Sequence, residues 1–224
     1  MNKKHEVDII ISDLQNTSFP NTFNPYKDRC EVFDKNDAPK IRAELLREIL
    51  YAASSGGVDS IWIGRDLGHR GGRRTGLALT DDVSFWEHTQ RWSVVAERPS
   101  AGHPMKERTA SVIWDVLRKI DDPIFLWNVF PYHPYPSGSV FENRAHNAVE
   151  RKFGVRILQK IIDLLAPNAI VALGNDAAKV AGKLGVKQEI HSIRHPSFGG
   201  HSVFIRQTSE LYSIDVQNKA ERLL

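Results

Sequence analysis

The sequence predicts an α/β fold: a three-layer α/β/α sandwich around a central, mainly parallel four-stranded sheet. Three observations predict it. Four short apolar segments read as buried parallel strands: Ile61-Trp62-Ile63, Ile124-Phe125-Leu126-Trp127, Ala169-Ile170-Val171-Ala172-Leu173, and a weaker one carried by Ile190, Ser192 and Ile193. Helical spacing fills most of the intervals between them, which is the alternation of a parallel sheet covered on both faces. Each strand gives way at once to a loop with polar or unusual residues, and open parallel sheets bind ligands at that carboxyl edge.

The elements follow in order. Residues 1–40 are expected to be an irregular N-terminal wrap, because 12–40 are rich in Asn, Asp, Pro and Phe without sustained periodicity. Helical spacing begins at Ile41, runs through Leu45, Leu46 and Ile49, and stops at Gly56-Gly57. A second stripe joins Val112, Ile113, Val116, Leu117 and Ile120. A third joins Leu158, Ile161, Ile162 and Leu165 at i, i+3, i+4 and i+7 and ends at Pro167. Asn175 reads as the N-cap of a helix through Leu184, with Gly185 just past its end. The whole, residues 1–224, is read as one domain.

The composition, 41% hydrophobic and 25% charged, excludes a disordered, collagen-like or coiled-coil chain. One cysteine, Cys30, excludes an internal disulfide framework, a four-cysteine zinc site and a cysteine-ligated iron–sulfur cluster. No stretch approaches the ~20 apolar residues of a membrane span, so a soluble, cytoplasmic protein is expected. Net charge is +3. The loop 64–74, GRDLGHRGGRR, carries four arginines against one aspartate and so holds as much. A cationic, glycine-rich loop suits a phosphate partner, and it equally suits a solvated charged turn.

If the strands are parallel, Asp66, Asn128 and His195 converge on one edge of the sheet. Three segments here together resemble the uracil-DNA glycosylase superfamily. Gly64-Arg65-Asp66-Leu67-Gly68-His69 is placed like that family's water-activating loop. Phe125-Leu126-Trp127-Asn128-Val129 is placed like its base-reading strand end, and Arg194-His195-Pro196-Ser197-Phe198 like its catalytic histidine and minor-groove loop. Ile170 to Ala178 is similar to the strand–turn–helix that precedes the histidine loop in several branches. Order and spacing fit from about residue 58 to 210.

The resemblance implies a monofunctional DNA glycosylase that flips out a pyrimidine, uracil or C5-modified, and leaves an abasic site. Asp66 would orient water and stabilise the sugar cation, and His195 would donate a hydrogen bond to the departing base. Asn128, Gly68 and Leu79 would line the base pocket, with the amide of Asn128 matching a pyrimidine edge. Arg65, Arg70, Arg73, Arg74 and Ser197 would hold phosphates, and Phe198, or the turn Phe198-Gly199-Gly200-His201, would wedge into the minor groove. DNA is the implied partner; no cofactor, metal, membrane or protein partner is implied.

The sequence also departs from the family's pattern. Gly68 stands where the most uracil-selective branch has a tyrosine that blocks the thymine methyl. Leu79 stands where an aromatic residue stacks on the base. An antiphage glycosylase specific for bulky modified cytosine is therefore an alternative. Cytosine leaves less readily and needs a further proton donor, for which His69, His133 and His146 are available. The aromatic run Tyr132-His133-Pro134-Tyr135-Pro136 lines an enlarged pocket or forms a rigid loop. Three other classes stand beside these: a nucleotide-binding protein, which lacks GxxxxGK[ST] and GxGxxG; a metal-dependent nuclease using Asp66, Asp81, Asp82 and His88; and a non-catalytic DNA-binding module.

Overall fold

The computed structural model describes residues 2–216. The expected domain over 1–224 reaches Met1 and 217–224, which lie outside the described residues. In chain order the elements are α1 (Lys3–Asn16), β1 (Thr22–Phe23), α2 (Ala38–Gly56), β2 (Ser60–Asp66), α3 (Gly72–Thr75), α4 (Phe85–Arg91), α5 (Arg108–Leu117), β3 (Ile124–Phe130), β4 (His133–Pro134), α6 (Ala148–Leu165), β5 (Ala169–Leu173), α7 (Asn175–Ala181), β6 (Glu189–Ile193) and α8 (His201–Tyr212).

The four expected strands form one sheet in the order β3-β2-β5-β6, every pair parallel. Successive side chains on a strand point to opposite faces, and here both faces are covered. Ile61, Ile63, Phe125, Trp127, Ile170 and Ala172 enter one core with α1, α2 and α6. Trp62, Ile124, Leu126, Val171 and Leu173 enter another with α5 and α8. The sandwich is therefore the expected three-layer one. The chain leaves β2 for β3 on one side, then recrosses to β5 and β6 on the other. That reversal opens a crevice at the carboxyl edge.

Three expectations change. Residues 3–16 are a helix, not irregular wrap, capped by the Asn2 side chain on the Lys4 N–H. Val7, Ile10, Ile11 and Leu14 bury one stripe of it against α2 and α6. That i, i+3, i+4, i+7 spacing is a helix signal, but the turn-rich composition just after it obscures it. Only 17–37 are largely irregular, with β1 paired antiparallel to β4. At α7 the cap is Gly174, at φ +88°, and Asn175 is already helical. The helix ends at Ala181, with Lys183 and Leu184 in turn hydrogen bonds to Val180 and Ala181. Finally, β2 and β3 run past their apolar runs, pairing Gly64 with Asn128 and Asp66 with Phe130. Backbone pairing continues regardless of side-chain polarity, so Asn128 lies within a strand rather than after one.

Candidate active site

The parallel register brings the three expected side chains to the same edge. Asp66 is the last residue of β2, Asn128 lies near the end of β3, and His195 follows β6 by two residues. Both oxygens of Asp66 are held. Oδ1 accepts from His146 Nδ1 at 2.5 Å and Oδ2 from Arg65 Nε at 2.7 Å. Arg151 Nε donates to the other ring nitrogen of His146 at 3.1 Å. A guanidinium can only donate, so His146 Nε2 accepts and Nδ1 carries the proton aimed at Asp66. Arg65 also reaches Asp176, in the first turn of α7, at 3.3 Å. The aspartate is thus fixed from two sides, by its chain neighbour Arg65 and by His146, 80 positions away.

Asn128 is 1% exposed, yet neither its Oδ1 nor its Nδ2 has a hydrogen-bond partner among the described residues. Buried polar groups are nearly always paired, and each one left unmade costs about 1–3 kcal/mol. Gly64, its register partner, makes the room: a Cβ there would lie 2.3 Å from Asn128 Oδ1 and 2.9 Å from Leu79 Cδ2. Leu79 therefore sits beside the amide. It holds a left-handed backbone at φ +56°, and Trp114 Nε1 donates to its carbonyl at 3.1 Å. A leucine in that conformation is strained by about 1–3 kcal/mol, as residues at functional sites often are.

His195 is half-buried. Its Nδ1 accepts the Ser197 backbone N–H at 3.2 Å and lies 2.7 Å from Ser197 Oγ. The neutral ring therefore carries its proton on Nε2, free to donate. Burial, with Arg65 and Arg194 nearby, holds its pKa below the ordinary imidazole value and favours that neutral form. The Ser197 hydroxyl bonds this ring. Phe198 is 97% exposed at φ +51°, an apolar side chain held out into solvent by a strained turn.

The arginine loop divides. Arg65 and Arg70 are exposed. Arg73 and Arg74 are buried and do not reach the surface to meet phosphates. Arg73 lies over the Phe23 ring at 4.0 Å and donates to the Val140 carbonyl. Arg74 lies over Phe33 at 4.1 Å and pairs with Asp82 at 2.7 Å. These two expectations fail because the loop turns inward as α3 and uses its cations to close the N-terminal segment over the domain. Arg194, exposed beside His195, was not singled out in the sequence.

The space outside Gly68 is occupied rather than open. A Cβ there would meet Glu107 Oε1 at 2.7 Å. Sequence reasoning missed Glu107, which has no local motif. It also failed to place His146 against Asp66, because that contact spans 80 positions. Of the other two histidines considered as donors, His133 is fully buried between Arg73 and the Glu142 carbonyl. Desolvation, with Arg73 adding to it, pushes its pKa down to about 3. His69 bonds Asn143. Tyr132 donates to the Leu14 carbonyl and His133 pairs with Phe23 in the small sheet, so this aromatic run packs inward. Asp81 accepts from the backbone of Val83, Ser84 and Glu107, and Asp82 serves Arg74, Ser100 and Met105. Among the described residues no group of three or more His, Cys, Asp or Glu is placed to hold a metal ion.

The fold thus gathers an acid, an amide and an imidazole at the carboxyl edge of a four-stranded parallel sheet. The model of the uracil DNA glycosylase superfamily matches residues 44–202, which contain all three. The chain belongs to that superfamily and is a DNA glycosylase. Among solved structures it is similar to the crystal structure of wild-type Pedobacter heparinus SMUG2. That match has 13% identity and a TM-score of 0.61 over 93% of this chain and 95% of that one. No curated protein matches.

Proposed function

We propose that the protein everts a pyrimidine, uracil or a C5-modified one, from DNA and hydrolyses its N-glycosidic bond, leaving an abasic site. The observation that carries this reading is the Asn128 amide, buried and without a hydrogen-bond partner among the described residues, at the sheet edge where Asp66 and His195 also lie. One carbonyl and one amine on a planar group match the N3 and position-4 edge of a pyrimidine. As the bond between C1′ and the base nitrogen breaks, its electron pair leaves with the base. His195 Nε2–H donates to the base oxygen where that charge gathers. The Asp66 carboxylate faces the cation growing on the sugar and orients the water that attacks C1′. His146 and Arg65 hold the carboxylate in place.

Arg65 and Arg70 contact phosphates, and Phe198 fills the gap left by the everted base. Among the described residues no hydrogen bond fixes which way the Asn128 amide points, so it serves a uracil edge or, flipped, a cytosine edge. That supports modified cytosine as a second substrate class. The test is to incubate the protein with DNA holding uracil, ordinary bases, or hydroxymethyl- or glucosyl-modified cytosine, and to identify free base by mass spectrometry. Release by the wild type and its loss in Asp66→Ala are expected. Release that survives that substitution would overturn the site assignment.

A further inference from the structure

An amide that reads two pyrimidines leaves selectivity to the neighbouring wall, and Glu107 stands there. It occupies the N-cap position of α5, yet its side chain caps nothing. Its backbone N–H donates to Asp81 Oδ2 at 2.6 Å and fixes the residue. The carboxyl turns instead into the loop after Asp66. A Cβ on Gly68 would lie 2.7 Å from its Oε1, and one on Gly71 would lie 2.1 Å from its Oε2. Two glycines in one short loop therefore make room for this one carboxyl. Neither of its oxygens has a hydrogen-bond partner among the described residues. Burial and Asp81 push its pKa up to about 7, with Arg70 opposing them.

This wall is continuous with the base-reading amide. Leu79 and Asn128 crowd Gly64 together, and the next carbonyl, that of Thr80, crowds Gly71 beside Glu107. A pyrimidine held at N3 and position 4 by Asn128 presents C5 as its next ring atom.

We propose that Glu107 is a specificity-determining residue of the base pocket: its carboxyl hydrogen-bonds a hydroxyl-bearing substituent at C5 of the everted pyrimidine and rejects a C5 methyl. This rests on the pyrimidine-excision reading above. A hydroxyl both donates and accepts, so it pairs with a carboxyl in either protonation state. A methyl does neither and leaves the carboxyl desolvated and unpaired, which costs more than the contact returns.

The experiment compares single-turnover release from duplexes carrying the hydroxymethyl and the methyl base. These are 5-hydroxymethyluracil and thymine, and 5-hydroxymethylcytosine and 5-methylcytosine. Wild type, Glu107→Gln, Glu107→Leu and Asp66→Ala are measured in parallel. Wild type is expected to prefer the hydroxymethyl base, and Glu107→Leu to reduce that preference about tenfold or more, the scale of a lost hydrogen-bonding group in a specificity site. Glu107→Gln, which preserves shape and a polar end, falls between and serves alone should Glu107→Leu not fold. An unchanged preference in Glu107→Gln, with release still dependent on Asp66, overturns the assignment while the glycosylase reading stands. Release of uracil with neither C5-substituted base released overturns it likewise. No free base from any duplex, the uracil control included, removes the underlying reading and the assignment together.

Discussion

Asp66→Asn keeps the size of the side chain and one accepting oxygen, so it separates chemistry from folding better than a truncation. Asp66→Asn is expected to lower base release about a hundredfold or more, the range of a positioned acid–base group, with little change in Tm. His195→Ala is expected to lose a similar factor by removing the donor to the leaving base. In the proposed mechanism His146 acts through Asp66 as a positioning residue. His146→Ala should lower kcat about tenfold with KM little changed, and His146→Asn, whose amide N–H replaces Nδ1–H, should recover part of that loss. Glu107 carries a stability signature. Its pKa is raised on folding, to about 7, so its neutral form is fully stabilising below the unfolded value of about 4.3. That contribution is lost as pH rises through 7. Relative to wild type, Glu107→Gln should gain on the order of 1–3 kcal/mol between pH 5 and pH 8, read by urea unfolding at both.

At the scale of elements, the end of β2 and the end of β3 work as a pair. Gly64 exists for Asn128: a methyl 2.3 Å from Oδ1 must push the amide out of place. Gly64→Ala is expected to destroy base release while the sheet, paired through backbone groups, stays folded by circular dichroism. The loop after β6 predicts the opposite kind of result. Phe198 contributes nothing to the core, so Phe198→Ala should shift stability by less than about 0.5 kcal/mol. It should slow release from duplex more than from single-stranded DNA, because only a duplex has a stack to fill.

Over the whole molecule, the cations that face outward at the site are few. The loop 64–74 carries +3, but Arg73 and Arg74 spend their charge inside. Arg70→Ala should therefore flatten the salt dependence of DNA binding by about one unit of slope. Arg74→Ala should instead unfold the protein more easily, by about 1–3 kcal/mol, because buried Asp82 loses its nearest cation and keeps only Ser100, the Met105 N–H and Arg98 at 4.0 Å. Denaturant titration and salt titration of the two variants distinguish a surface arginine from a structural one.

How much of this was legible in the sequence depends on the range of the interactions involved. Strand runs such as Ala169–Leu173 and helix stripes such as Leu158 to Leu165 are local periodicities, and they gave the sheet, the layers and the edge where the candidate residues gather. The order of Asp66, Asn128 and His195 along the chain gave the family and the three side chains. Local spacing also held the signal for α1, but neighbouring composition masked it. What the linear order cannot hold is which distant groups meet. Whether an arginine faces solvent or an aromatic ring depends on what folds over it. Glu107 opposite Gly68, and His146 on Asp66, arise only when the loops close, because each contact joins segments tens of residues apart and is set by packing rather than by period.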